Sequence, residues 1–347
     1  MAMAATIPSG SNTYIPSHDA TNNMVVDYSR NPDSFSLPSY SQYIPVETQV
    51  GRYLKMTVEM AGRLVNSTGD DMAWGDGNDA PSGAGNRESF EFLAYQTRRF
   101  ASAFFLGELA VEQASWDVLA QHARIHAQRI MTLRTQLAVT ALTGHSWPAA
   151  HTSTVTGITG VTGKWDVSTT ALKDIKKSLD YGFEIVHKAT LGAVSQDQVQ
   201  VLMSPGLARK VAASQEIVDH IKGSPFAKEE IEKGLGNAMY GLPSTLYGYP
   251  VTIEDAVKVT NRKGATRATE YILGDDTPFL LSRPGELEGV EGAPSFSTLT
   301  TFVKEEMTVE SKHDRDNRTH KGRVVDDTTS VVTSDISGFA FTAAAAA

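Results

Sequence analysis

The sequence predicts an α+β fold, and three observations carry that expectation. From Ser115 to Thr143, 29 residues without Gly or Pro carry one apolar stripe at helical spacing. Residues 168 to 282 alternate helical and strand patterns, and residues 297 to 342 are short apolar runs broken by polar loops. At 347 residues the chain is long enough for about two domains, or one with large excursions. Its 41% hydrophobic content lies with ordinary globular proteins, while its 20% of charged residues leaves a surface leaning on Ser, Thr, Asn and Ala. Such a surface can be buried against a partner at lower desolvation cost than one built of Lys and Glu.

Several function classes fall away on composition. Lys plus Arg total 31 and Asp plus Glu 40, and the net charge of −9 argues against a protein whose task is to grip nucleic acid phosphates. With no cysteine there is no disulfide framework, no thiolate metal site and no cysteine nucleophile. The N-terminus has neither a basic n-region nor an apolar h-region, and no apolar run reaches about eighteen residues. A soluble, unsecreted protein with no membrane partner is expected, and the sequons at Asn66 and Asn317 are then accidental.

The elements follow in order. Residues 1–45 are rich in Ser, Thr, Asn and Pro, carry only four charged side chains, and cannot build a core. Tyr14, Tyr28, Phe35, Tyr40 and Tyr43 nevertheless punctuate them, so the segment reads as an arm lying on another surface. From Val50 to Leu64 the apolar residues fall on even numbers, which favours a strand, although Val50, Leu54, Val58, Ala61 and Val65 also make a helical stripe. After a glycine-rich tip, Phe90, Phe92 and Ala94 resume the alternation, giving a long projecting hairpin over 46–108. The helix of 115–143 is roughly 43 Å long at 1.5 Å per residue, a spine rather than a packing element. Ser168 caps the next helix, Val199–Met203 is a buried strand, and Ser204-Pro205 is an N-cap with proline at the first helical position. Helices follow at Ser214–Lys222, closed by Gly223, and after Ser224-Pro225, with strands at 250–259, 270–273 and 278–282. The closing alanines, 343–347, show no purpose.

Motifs of catalysis fail on inspection. Gly144-His145-Ser146-Trp147-Pro148 approaches the elbow of serine hydrolases, but Pro stands at the last glycine and a helix, not a strand, precedes it. Gly157 to Lys164 has the wrong spacing for a phosphate loop, with Trp165 where Ser or Thr should be, and reads as a flexible loop. His122 and His126 share a helix face without the Glu of a zinc motif, so a polar face is expected. Asp70, Asp71, Asp76 and Asp79 lack the alternation of a calcium loop. The run Lys304 to Arg323 mixes signs, as a hydrated β-loop or an intersubunit strip of ion pairs would.

The order of arm, hairpin, spine, α/β segment and terminal β segment resembles that of tailed-phage major capsid proteins of the Hong Kong phage type. Val201-Leu202-Met203-Ser204-Pro205 resembles the family's strand-to-helix step, and Ser244 to Val251 (STLYGYPV) its "tl-x-G-x-P-V" turn. Tyr271-Ile272-Leu273-Gly274-Asp275 is similar to its "GD" strand end, and Leu109 to Gly144 to its spine with the preceding turn. The resemblance implies an arm at 1–45, an extended loop at 46–108, a peripheral domain at 109–167 with a β segment at 296–342, and an axial domain at 168–295. It further implies a non-enzymatic shell subunit with no catalytic, cofactor or metal residue, forming pentamers and hexamers of a virion head assembled in the host cytoplasm. Its expected partners are scaffolding, portal and decoration proteins, with packaged DNA touched only non-specifically. The chain begins directly with its arm, so a separate scaffold is expected. Candidate assembly contacts are Tyr28, Phe35, Tyr40 and Tyr43 of the arm, Trp74, Arg98 and Arg99 of the hairpin region, and Arg315 and Arg318 of the mixed-charge run. The alternatives are an encapsulin-type shell protein or, in another class, a hydrolase using Ser146.

Overall fold

The computed structural model describes residues 35–55, 76, 91–114, 117–223, 240–262, 264–282 and 297–345. Their helices are α1 (Leu37–Tyr40), α2 (Glu108–Glu112), α3 (Val118–Gly144), α4 (Asp174–Ala189), α5 (Pro205–Ala213) and α6 (Gln215–Gly223). The strands begin with β1 (Gln42–Pro45), β2 (Val50–Lys55), β3 (Glu91–Gln96), β4 (Arg98–Gly107), β5 (Thr152–Thr154), β6 (Val199–Met203), β7 (Thr245–Leu246) and β8 (Tyr249–Ile253). They continue with β9 (Val257–Val259), β10 (Thr269–Tyr271), β11 (Phe279–Ser282), β12 (Leu299–Asp314), β13 (Thr319–Val332) and β14 (Gly338–Thr342). The α+β class expected from the sequence is the class observed. Two compact units divide the chain: a larger one of Phe35–Thr97, Arg134–Lys304 and Thr329–Ala347, and a smaller one whose described parts are Arg98–Leu133 and Glu305–Thr328.

The larger unit is built on a six-stranded sheet of order β5-β14-β11-β6-β8-β7. β6 lies inside it, parallel to β8 and antiparallel to β11, and all five of its residues are buried. That is why its sequence is a short apolar run rather than an alternation. Trp165, Leu179, Val186, Val201, Met203, Leu207, Phe339 and Phe341 are among the side chains that fill the core. α4 starts five residues later than a cap at Ser168 suggests, with Lys173 in the left-handed region at φ 52° standing at its N-cap. Ser168 still serves the helix: its Oγ accepts from the Asp174 N–H at 3.1 Å. The loop before it is not free. Val155, Ile158 and Val161 are buried, and the Asp174 carboxylate accepts from the backbone N–H groups of Thr162 (3.1 Å) and Gly163 (3.0 Å). A loop read as flexible is thus packed against the core.

In the same unit β2 and β3 pair antiparallel from Val50↔Gln96 to Lys55↔Glu91, which settles residues 50–55 as strand. The remainder of the hairpin, apart from Asp76, lies outside the described residues, as does the segment after Ser224-Pro225.

In the smaller unit β4 and β13 pair antiparallel over ten residues, from Gly107↔Thr319 to Arg98↔Thr328. One face of β4 meets α3, where the Ser102 hydroxyl and His126 Nδ1 are 2.7 Å apart and the Phe104 ring lies 5.1 Å from the His126 ring. The α3 N-terminus is capped by Asp117, whose Oδ1 accepts from the Ala120 N–H at 2.9 Å. Ala127 and Ile130 are buried as the stripe of Ala123, Ala127, Ile130, Leu137 and Ala141 requires, and Met131 outside it is buried too, whereas toward the C-terminal end the buried positions are Ala138, Val139 and Leu142. The 3.6-residue period makes a straight helix drift against any fixed spacing, so Leu137 and Ala141 of the sequence stripe end up half-buried.

Candidate assembly surfaces

The root of the arm is fastened to its own chain. Phe35, Leu37 and Tyr40 are buried, and the Glu254 carboxylate, at the end of β8, accepts from the Ser36 hydroxyl (2.6 Å), the Tyr40 phenol (2.7 Å) and the Ala256 N–H (3.0 Å). Gln200, a polar residue inside an apolar strand, donates to the Ser39 carbonyl at 2.9 Å and accepts from Thr252. The chain then runs parallel to β12 from Gln42↔Thr300 to Pro45↔Val303, with Tyr43 half-buried under the Arg134 guanidinium at 5.7 Å. Burial, reinforced by the neighbouring Glu254, holds the Tyr40 phenol well above its ordinary value. Burial also lifts the Glu254 carboxyl, against the pull of its Ser36 and Tyr40 bonds. Phe35 and Tyr40, expected to reach a neighbour, are therefore core residues, because residues 35–45 carry enough apolar surface to dock in cis. Tyr28 lies outside the described residues.

The hairpin stem packs one of its two faces within the chain. Tyr95 stacks on Phe302 at 4.2 Å and 9°, and Tyr53 sits 5.7 Å from the same ring, so the odd-numbered face is inward. Val50 (62% exposed) and Phe92 (59%) face outward. Trp74 is not among the described residues. Arg98 and Arg99 open β4; Arg99 bridges Glu305 (3.3 Å) and the buried Asp327 (3.7 Å), while Arg98 is exposed and makes no ion pair among the described residues.

The mixed-charge run is a hairpin of β12 and β13 stitched within the chain. Lys321 bridges Asp314 and Arg323 bridges Glu310. Asp314 is held well below the carboxylate range, first by the Lys321 ammonium and then by Asn317. Arg315 and Arg318 occupy the turn, exposed; Arg318 adopts φ 46° and its carbonyl accepts from the Glu108 N–H at 3.0 Å. On the flank of this hairpin Phe105 and Val309 are exposed at 67% and 53%.

The sequence motifs acquire physical roles in the larger unit. Ser204 caps α5, accepting from the Leu207 N–H at 3.1 Å with Pro205 in the first turn, and its hydroxyl donates to Asp275 Oδ1 at 2.5 Å. The strand-to-helix step and the "GD" strand end, some seventy residues apart, meet at one helix terminus. The "tl-x-G-x-P-V" segment is the tight turn joining β7 to β8, with Tyr247 (φ 53°) and Gly248 (φ 90°) both left-handed. Tyr247 is held there by its phenol, which donates to the buried Glu216 at 2.8 Å. Ser146 stands between the end of α3 and a 3₁₀ turn, where Trp147 Nε1 donates to the Leu142 carbonyl at 3.0 Å, and no hydrogen bond joins it to a histidine among the described residues. That turn is not a nucleophile elbow. The sequence reading missed Glu254, Gln200, Glu216 and Asp174; an acid closing a strand of alternating apolar residues was the available signal for Glu254.

No protein-family model and no curated protein matches the sequence. Solved structures do. The capsid structure of cyanophage P-SCSP1u aligns with a TM-score of 0.61 at 10% identity, covering 94% of this chain and 92% of that one. A phage-related protein from Bordetella bronchiseptica RB50 aligns with a TM-score of 0.59 at 14% identity, covering 89% and 91%. The mature capsid of bacteriophage PhiM1 aligns with a TM-score of 0.54 at 14% identity, covering 92% and 90%. At these identities it is the path of the backbone that is shared, nearly end to end, and the chain has the fold of tailed-phage capsid subunits.

Proposed function

We propose that the chain is a structural subunit of a tailed-phage head, assembling as pentamers and hexamers into an icosahedral shell around double-stranded DNA. The observation that carries this reading is the shared fold over about nine-tenths of both chains. The outward apolar residues Val50 and Phe92 on the stem of β2 and β3 support it, since exposed apolar side chains gain stability when a neighbour covers them. In this reading residues 1–45 are the arm and 46–108 the extended loop over a neighbour. Residues 109–167 with 296–342 form the peripheral domain, and 168–295 the axial domain; the compact units cut the chain differently, at 133/134 within α3. Arg98, Arg315 and Arg318, exposed and in no ion pair among the described residues, are then rim cations for a neighbour, and Tyr28 and Trp74 remain candidate contacts. Scaffolding, portal and decoration proteins are the implied partners, and the product is a virion component assembled in the host cytoplasm.

Sedimentation and negative-stain imaging of the expressed chain, alone and with a scaffolding partner, test the reading. Megadalton particles are expected. A 37.4 kDa monomer at every concentration and salt, scaffold present, would overturn it.

A further inference from the structure

We propose that the exposed face of α3 is a contact surface for the phosphate backbone of double-stranded nucleic acid, an inference that rests on the shell reading above. The whole chain is acidic, yet no Asp or Glu occurs between Val118 and Trp165. At the chain's average frequency a helix of 27 residues would hold about three acids, and α3 holds none. It carries Arg124, Arg129 and Arg134 with His122 and His126. Folding does not ask for this: acids favour the first turn of a helix, and i,i+4 ion pairs support its exposed face, yet α3 has neither.

The three arginines differ in use. Arg134 is buried and lies over Tyr43. Arg124 and Arg129 are exposed and make no ion pair among the described residues. At 100° per residue they lie about 140° apart around the helix, flanking the exposed Ile125 and the half-buried Gln121, Gln128 and Thr132, whose hydroxyl donates to the Gln128 carbonyl at 2.9 Å. Four carboxylates of the smaller unit hold other cations: Glu305 and Asp327 hold Arg99, Glu310 holds Arg323, and Asp314 holds Lys321. Asp117 is occupied as the helix cap. On the same helix, protonation of His126 is disfavoured first by burial and then by Arg129 and His122.

One subunit offers two guanidinium forks, a weak site alone. Repeated over a shell around one long polyanion, the same two contacts act together. The partner this fits is an evenly spaced row of phosphates, read without regard to base sequence.

The test measures binding of a short labelled DNA duplex to the full-length chain, as particles and as dispersed subunits, across a salt series. Arg124→Gln with Arg129→Gln should weaken binding at low salt at least about tenfold and make log K against log salt shallower by about 2, near 0.9 per lost phosphate contact. Arg262→Gln with Arg267→Gln, two exposed arginines between β9 and β10, makes the same charge change elsewhere and should leave both unchanged. Equal affinity and slope for wild type and the α3 variant would overturn the inference, as would an equal loss in the control pair. Capture of poly-glutamate but not of duplex would overturn it in favour of an acidic protein partner. Particle formation is scored separately by imaging: absence of particles from the wild type defeats the shell reading and leaves the binding result standing, while particles without an α3-dependent duplex contact do the reverse.

Discussion

Gly206 has no room for a side chain, because a Cβ built there would sit 2.1 Å from the Asp275 carboxylate that receives the Ser204 hydroxyl. Gly206→Ala must therefore push Asp275 off the start of α5, and overpacking of this kind costs about 1–3 kcal/mol. Removing the carboxylate as well, in Gly206→Ala with Asp275→Ala, should recover the overpacking share, so the two changes combine to less than their sum in urea unfolding. Strict additivity would mean that the two residues do not interact. Glu254 makes a second prediction, through pH. Burial raises its folded value above the ordinary 4.5, so between those two values the folded chain binds the proton that the unfolded chain has released. Stability then falls as pH rises across that window; the Glu254 contribution is complete below about 4.5 and is lost as pH climbs through the raised folded value. Glu254→Gln cannot ionise, and its urea midpoints should decline less over the window than those of the wild type. Parallel curves would show that this carboxylate does not titrate differently in the fold.

Among the elements, α3 has the most demanding role, contributing Ala127, Ile130 and Met131 to the smaller unit and Ala138, Val139 and Leu142 to the larger. Ala127→Pro removes a backbone bond and clashes with the preceding turn at about 3 kcal/mol or more, breaking the helix where Ala127, Ile130 and Met131 are buried in the smaller unit. Loss of cooperative unfolding by far-UV dichroism is the expected outcome; a wild-type melt would refute it. The alanine tail, given no purpose from sequence, is a clasp: the Trp165 N–H donates to the Ala344 carbonyl at 2.9 Å, the Ala344 N–H to the Asp276 carbonyl at 3.0 Å, and Ala344 and Ala345 are buried. Deleting 344–347 should lower the melting temperature by several degrees. Legibility followed the physics of each element. β6, the Ser204-Pro205 cap and α3 were readable because local pattern decides them: a run buried on both faces, a side-chain cap and a 3.6-residue period. The tail was not, since alanine carries no pattern and its burial is set by Trp165, far away in sequence. The stem of β2 and β3 was half readable. Its alternation gave strand correctly, but which face turns inward was decided by Phe302, which the local sequence cannot see.

At the scale of the whole molecule the arm divides into two parts that one truncation would confuse. Residues 35–45 belong to the larger unit: Phe35, Leu37 and Tyr40 fill its core and Glu254 receives Ser36 and Tyr40. At about 1.5–3 kcal/mol for each buried side chain, removing them costs roughly 5–9 kcal/mol, comparable with the whole stability of an ordinary domain. Deleting 1–44 should therefore unfold the larger unit, and any loss of shells would say nothing about lacing. Residues 1–34 are a different matter, since their composition cannot build a core and their Tyr14 and Tyr28 can each bury about 150–250 Å² against another surface. If they lace subunits together, deleting only 1–34 should leave the far-UV spectrum and the urea midpoint of the dispersed subunit unchanged while lowering particle yield or the temperature at which particles dissociate. Tyr14→Ser with Tyr28→Ser in the full-length chain should reproduce part of that effect, because it is the rings and not the chain length that supply the buried area. Particles of the 1–34 deletion that match the intact protein in yield and heat resistance would show the segment to be a solvated tail, and assembly would then rest on the hairpin and the exposed faces of the folded units alone.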